Sequence, residues 1–371
     1  MNADTIVYCF PINPMFGWGT IGLNFALSWP GAEFMPGITG LGTALCAMPD
    51  MRGLLAAGDP RAAHLEERIG QSRKFQNDLM VQSALHLQAS HPVIVAMGND
   101  LVHYPAAHGK TLHGRPTIAY PVFEDEAAVR ERAARTLKGY DLVLAASTWN
   151  RDILVDCGID AKLALQGVDT AIFNPTVRRK RDDGRFRVFS GGKCELRKGQ
   201  DLVIQDFARF AERHDDAVLV ACWGSPWAGL AMDFYGSAVG APPGADIGLP
   251  NFSAWCQQNG IPAHQVEIVP PTPNCLMPAV YGGCDVGLFA SRAEGATNLM
   301  AMEAMACGVP AIVARGTGHN DLSEANPCNP TSEEILYMLD WIYDNGAADP
   351  DMSSWDWSAR LAEVKRLIEE A

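Results

Sequence analysis

Three cations, Lys193, Arg197 and Lys198, fall within SGGKCELRKGQD (Ser190 to Asp201), with Gly191 and Gly192 ahead of them and Gly199 behind. Cations bracketed by glycines at a helix start can hold a dianion. Glycine admits close backbone approach, and the helix N-terminus adds its own positive field. In a chain of net charge −14, such a basic loop is better explained by a specific anion than by general solubility. The same loop carries Glu195 and Asp201, so the alternative is a solvated loop whose charges pair among themselves.

A second segment, SRAEGATNLMAMEAMACGVP (Ser291 to Pro310), holds two carboxylates of different character. Glu294 follows an apolar run, and Glu303 lies among small apolar residues. A carboxylate there needs a partner, and a hydroxyl-rich ligand at the helix start would provide one. Gly295, Ala296, Thr297 and Asn298 would present amides at that helix N-terminus. The plainer reading makes Glu303 a solvent-face residue and Thr297 a cap. Two further places are weaker. In PMFGWGTIG, Gly17, Gly19 and Gly22 could admit a phosphate or serve only a tight turn. In PVFEDE, Glu124 suits a cleft-facing acid, although the run also reads as an acidic first helical turn. The histidines show no HxH, HxxH or HExxH spacing, so no metal site is expected, and His103 alone is kept as a cleft candidate.

Positioning these groups requires strands that end where the loops begin. Short apolar runs alternate with helix-like segments throughout, the pattern of parallel sheets with helical crossovers. Strands are expected at 5–10, 92–97, 116–119 and 142–146, with helices near 21–28, 62–88, 126–138 and 148–156. After the charge-dense NPTVRRKRDDG (Asn174 to Gly184) the alternation restarts. Strands are expected there at 186–190, 217–222, 266–269, 286–290 and 311–314. Helices are expected at 201–213, 276–282 and 298–307, a loop or short irregular insertion at 223–250, and a last amphipathic helix at 357–370 with Leu361, Val364 and Leu367 on one face.

The expected fold is α/β: residues 1–175 and 176–350 form two Rossmann-like domains facing across a cleft, and 351–371 carry the C-terminal helix. With 371 residues, 48% of them hydrophobic, two domains are expected. Against 43 Asp and Glu there are 29 Lys and Arg, which argues against a nucleic-acid binder. Ten scattered cysteines without a CxxC pair suit free thiols in a reducing compartment. MNADTIVYCFPINPM lacks the basic flank of a secretory leader, and no apolar run approaches the ~20 residues of a membrane span. The expectation is a soluble, cytoplasmic protein whose membrane contact is at most peripheral.

Taken together, STWNRDIL (Ser147 to Leu154), QGVDTAIFNP (Gln166 to Pro175), the basic glycine loop and VYGGCDVGLFASRAEGATNLMAMEAMACGVPAIV resemble retaining GT-B glycosyltransferases of the family 4 group. The resemblance runs over nearly the whole chain, and EAMACGVP with an upstream SR-x-EG is its most specific part. It implies a nucleotide-sugar donor as substrate, held mainly by the C-terminal domain, with no cofactor. It also implies a GT-B fold whose C-terminal helix returns to the N-terminal domain, and a glycan, lipid-linked or small-molecule acceptor on that N-terminal domain. By resemblance Lys193 and Lys198 hold the diphosphate, Glu303 the ribose hydroxyls, and Glu294 faces the donor sugar. The donor-binding set expected around them is Gly17, Gly19, Gly192, Arg197, Gly295, Ala296, Thr297, Asn298, Leu299 and Glu303, with Lys193, Lys198, Glu294 and Glu124 at the chemistry.

Three departures from the family pattern bear on function. Lys193 stands where Arg is usual, losing the bidentate fork. Eight residues rather than seven separate Glu294 from Glu303. No His lies between His113 and His214, so the role of the His that many members carry after the strand reading TIAYPVFE falls to another group such as Glu124, or is dispensable. The implied chemistry is metal-independent, front-side transfer in which the leaving phosphate takes the acceptor proton. The alternatives are a GT-B nucleotide-sugar epimerase or hydrolase, and a non-catalytic sugar-nucleotide binding protein.

Overall fold

The computed structural model describes residues 3–29, 35–36, 53–81, 83–103, 111–179, 181–224 and 228–371. Among them the first lobe contains, in chain order, β1 (Val7–Cys9), α1 (Gly17–Ser28), β2 (Met35–Pro36), α2 (Ala62–Met80), β3 (His86–Gln88), β4 (Val93–Met97), β5 (Thr111–His113), β6 (Thr117–Pro121), α3 (Glu126–Thr136), β7 (Leu142–Ala145), α4 (Thr148–Asp156) and β8 (Ala161–Leu163). The second contains β9 (Phe186–Gly192), α5 (Gln200–Ala211), β10 (Ala217–Trp223), α6 (Phe252–Gln258), β11 (Val266–Ile268), α7 (Met277–Tyr281), β12 (Val286–Phe289), α8 (Leu299–Ala306), β13 (Ala311–Ala314), β14 (Asn326–Cys328) and α9 (Ser332–Asn345). The chain ends in α10 (Trp357–Glu370).

Both large sheets are parallel. The first has the order β2-β1-β4-β6-β7-β8 and the second β11-β10-β9-β12-β13-β14. Every residue of β4, β6, β7, β12 and β13 is buried, as parallel strands covered by helices on both faces must be. Each sheet separates two apolar layers. Ile94, Tyr120 and Leu144 point to one side of the first and Val95, Ala119 and Val143 to the other. In the second, Leu219 and Leu288 oppose Val220 and Phe289.

The strand order follows the doubly wound rule, so each sheet has one switch point where loops leave in opposite directions and a crevice opens. In the second sheet it lies between β9 and β12, and in the first between β1 and β4. The lobes join where the backbone of Val168 pairs with Trp355 and Trp357, through N–H···O contacts of 2.8 and 3.2 Å. A Cβ at Gly167 would stand 2.8 Å from Cα of Trp357, so only glycine fits this crossing. From there α10 returns to the first lobe, burying Trp357, Leu361, Val364 and Ile368 against a core that includes Phe25 and Trp29. Ile368 is fully buried, and Leu367, half-buried, packs against the same core.

The helix expected to reach 88 ends at Met80, and His86–Gln88 is a strand paired with β5 in a small separate sheet. A pairing that forms only in the folded chain overrides local pattern there. The stretch 223–250, expected as a loop or short irregular insertion, contains two 3-10 segments, Ala228–Gly236 and Ala245–Ile247, around a buried Phe234 and Ala245. Ser225, Pro226 and Trp227 in that stretch, like Cys46 and His108, lie outside the described residues. Among the described residues no helix is long and apolar enough to cross a membrane, and the nine described cysteines are free thiols.

Candidate active site

The two loops that sequence marks as chemical meet at the second switch point, one leaving β9 and the other β12. Their approach depends on Gly199, which has φ of 72° and whose Cβ would stand 2.1 Å from the carbonyl oxygen of Ala290. Arg292 on the second loop donates to both oxygens of Asp201, at 2.8 and 2.7 Å, and to the Leu196 carbonyl at 2.7 Å. These bonds fix the loops to one another.

Between them lies an ion network. Lys198 Nζ donates to both carboxylate oxygens of Glu294, at 2.7 and 2.8 Å. The same carboxylate accepts from Ser291 Oγ at 2.6 Å and Asn298 Nδ2 at 3.0 Å, while the Glu294 N–H donates to Thr317 Oγ1 at 3.0 Å. Burial would raise its pKa, but Lys198 and Arg197 outweigh burial and hold it down at about 2. Burial likewise lowers the Lys198 pKa, against the pull of Glu294. Arg197 donates to the Ala293 carbonyl at 2.9 Å and to Glu195, and lies 3.4 Å from Glu294. Lys193 is 3.4 Å from Glu195. The aliphatic part of Lys198 runs over Gly192, whose φ is 130°.

Glu303 is 4% exposed, which rules out the solvent-face reading. It sits on α8, with Asn274 Nδ2 at 2.5 Å from one oxygen and Tyr281 OH at 2.9 Å from the other. Burial pushes its pKa up to about 7, opposed by these two bonds and aided by the charge of Asp169. A carboxylate can accept about four hydrogen bonds, so two partners leave capacity for vicinal hydroxyls. At the start of α8 the cap is Asn298, with φ of 64°, and not Thr297. Thr297 is fully buried and donates to Met302 Sδ at 2.9 Å.

Gly295 and Ala296 stand where the two lobes meet. Both are buried, and a Cβ at Gly295 would stand 2.5 Å from the carbonyl oxygen of Phe123 in the first lobe. Ser147 Oγ donates to the Gly295 carbonyl at 2.8 Å, and the Thr148 N–H to Asp321 at 2.7 Å. This turn therefore seals one end of the cleft, leaving Asn298 and Leu299 half-buried beside it.

From the first lobe, Glu124 reaches Arg197 across the cleft at 3.3 Å. Its loop is held by Asn99, whose Oδ1 accepts from the N–H groups of Glu124 and Asp125 at 2.7 and 3.0 Å. Gly17 faces the second lobe, with Leu299 Cδ1 3.9 Å from where its Cβ would be. A Cβ at Gly19 would stand 2.3 Å from the Asn13 carbonyl oxygen and one at Gly22 2.0 Å from the Pro11 carbonyl oxygen, so both glycines allow the close packing of the loop after β1. The His103 ring lies 4.9 Å from that of His113 and 6.1 Å from that of Tyr140, tilted against both, and burial lowers its pKa to about 4.

Asn274, Tyr281, Asn99 and His319 were not read from sequence as site residues. His319 lies in the turn that also lines Glu294; its Nδ1 is 3.1 Å from the Ala314 carbonyl, and its buried Nε2 has no partner among the described residues. Each comes from an element far along the chain from the groups it touches, so spacing could not reveal it. Among the described residues no group of three or more His, Cys, Asp or Glu side chains is arranged to hold a metal ion.

Comparison with known proteins bears on the fold and on the second lobe. Residues 176–327 match the family described as Glycosyl transferases group 1. D-inositol 3-phosphate glycosyltransferase of Acidothermus cellulolyticus is 28% identical over 211 residues, covering 52% of this chain and 44% of that protein, so the match spans less than half the relative's length. Among solved structures, an α,α-trehalose-phosphate synthase (UDP-forming) from Burkholderia vietnamiensis superposes with a TM-score of 0.66 at 14% identity over the full length of both chains. Sucrose-phosphate synthase from Thermosynechococcus elongatus does so with 0.63 at 13%, covering 99% of this chain and 98% of that one. An Anabaena protein in complex with UDP and glucose gives 0.59 at 12%, covering 99% and 100%.

Proposed function

We propose that this chain, a GT-B fold with a glycosyl transferases group 1 region at residues 176–327, is a retaining glycosyltransferase that moves a hexose from a nucleoside-diphosphate sugar to a hydroxyl acceptor. The observation that carries the reading is the pair of buried carboxylates from one strand-loop-helix unit. One is bound to Lys198 at 2.7 Å and the other holds spare acceptor capacity beside α8. The resemblance of the loops adds the assignment of the donor sugar to the first and of the ribose to the second, with the diphosphate held by Lys193 and Lys198.

In this reading Lys193, Arg197 and Lys198 surround the diphosphate, and Glu303 accepts hydrogen bonds from the ribose hydroxyls. Glu294 faces the donor sugar and holds Lys198 in place. The bond between the anomeric carbon and the phosphate oxygen breaks as the acceptor oxygen bonds to the same face of that carbon. The acceptor proton passes to the leaving phosphate oxygen. Charge developing on that oxygen is met by the preorganised cations, so the transfer needs no added metal ion. The acceptor, a glycan, lipid-linked or small-molecule alcohol, enters from the first lobe beside Glu124. Free thiols in the described chain suit a reducing, cytoplasmic setting.

Thermal unfolding with UDP-, GDP-, ADP- and TDP-sugars tests this reading, because a ligand of the folded state raises its stability by mass action. The expected result is a rise with one nucleotide class, unaffected by a chelator. A folded protein stabilised by none of them refutes the donor assignment. Donor hydrolysis that no acceptor increases would favour a hydrolase.

A further inference from the structure

The cations at the switch point are already balanced before an anion arrives. Lys193, Arg197 and Lys198 face Glu195, Glu294 and Glu124, with separations of 3.4 Å for Lys193–Glu195, 2.7 Å for Lys198–Glu294 and 3.3 Å for Arg197–Glu124. Three positive charges against three negative ones leave about zero, and these side chains are largely withdrawn from water. A dianion added to that set meets no net attraction unless one carboxylate withdraws.

The three carboxylates are not equally able to withdraw. Glu294 is held by Ser291, Asn298 and Lys198, all of its own lobe. Glu195 sits two residues from Arg197 on the loop that carries the cations, and ion pairs with Lys193 as well. Glu124 belongs to the other lobe. Its backbone is fixed by Asn99, while its carboxylate faces Arg197 across the cleft and keeps 22% of its side-chain surface exposed.

We propose that Glu124 is an interlobe latch on Arg197 that the donor diphosphate displaces, and that the released carboxylate then accepts a hydrogen bond from the acceptor hydroxyl. This rests on the donor reading given above. It makes Arg197 the residue that couples the two substrates: the donor takes over the guanidinium, and only then does the first lobe offer a free acceptor group. Donor-first binding follows. By reciprocity, an acceptor held by Glu124 favours the nucleotide in return.

Calorimetric titration of the full chain with UDP, GDP, ADP and TDP, without acceptor, tests the latch. Removing a competing, partly exposed ion pair in Glu124→Gln should tighten binding of the preferred nucleoside diphosphate about two- to fivefold. Arg197→Gln should weaken binding, and adding Glu124→Gln to it should give no further gain, because the two act through one contact. Wild type that binds while Glu124→Gln binds equally or more weakly overturns the latch and leaves the donor reading standing. A gain from Glu124→Gln that persists without Arg197 overturns it as well. Binding of none of the four by folded wild type overturns the donor reading and the latch together. Thermal melting establishes folding of each variant. Should Glu124→Gln fail to fold, Glu124→Asp, which shortens the reach to Arg197, gives a smaller change of the same sign.

Discussion

Replacing Glu303 by Gln separates what the site costs from what it does. Burial lifts this carboxyl from an ordinary value near 4.5 to about 7. For an acid whose pKa is higher in the folded state, stability is complete below the unfolded pKa and is lost as pH rises through the folded one. The native chain should therefore weaken between about pH 4.5 and 7.5. At 1.36 kcal/mol per unit, a rise of about 2.5 units costs on the order of 3 kcal/mol at pH 8. Glutamine keeps the acceptor for Asn274 and can donate to the Tyr281 oxygen, since a phenol both donates and accepts. Glu303→Gln should then raise stability at pH 8 by about 1–3 kcal/mol, flatten its pH dependence, and still bind nucleoside diphosphate at least tenfold more weakly. Urea unfolding at pH 6 and 8 with calorimetric titration of the same samples would check both halves. A variant destabilised at pH 8 with unchanged nucleotide affinity refutes the reasoning. Its carboxylate would then be a structural group and not a ribose ligand.

Lys198→Met leaves Glu294 buried without its main partner, at a cost of about 3–5 kcal/mol by chemical unfolding. Adding Glu294→Gln should recover much of that stability while nucleotide binding stays lost. Asp206, fully buried with neither oxygen hydrogen-bonded among the described residues and Arg209 4.0 Å away, has its pKa pushed up by burial to about 7. It too destabilises as pH rises through that value, so Asp206→Asn should stabilise at pH 8 by on the order of 2 kcal/mol with activity unchanged. Gly295→Ala places a methyl 2.5 Å from the Phe123 carbonyl oxygen and should part the lobes there. Small-angle scattering would then show a larger radius of gyration, and turnover would fall while nucleotide affinity does not.

What was legible in the sequence was whatever depends on neighbours along the chain. Helix Thr148–Asp156 and strand Ala311–Ala314 lie at the expected bounds, because each is a short periodic or β-branched run between clear stops. The basic glycine loop and the two carboxylates were legible for the same reason. Less so were features decided by pairing in space. β3 exists because Leu87 sits beside Leu112 in a separate sheet, and β8 because Ala161 adds to the edge at Val143. Helix α9 passed unread although SEEILYMLDWIYDN is periodic, its apolar face being matched by α5.

Gly295 illustrates a different limit, the contact that a glycine makes in space. Glycine ahead of a helix is equally what an anion site and a close backbone contact require, and sequence alone does not separate them. The structure separates them by what stands opposite. At Gly199 the neighbour is the Ala290 carbonyl of the adjoining strand end, and at Gly295 it is the backbone of the other lobe. The first glycine brings two loops of one lobe together around Lys198. The second brings the lobes together, so the position of Glu124 relative to Arg197 depends on whether that seal is made. A methyl at Gly295 should therefore lengthen the Glu124–Arg197 separation as well as open the cleft, and nucleoside diphosphate should bind somewhat tighter to Gly295→Ala even as turnover falls. Affinity and turnover falling together would show instead that the second lobe needs the first to form its donor site.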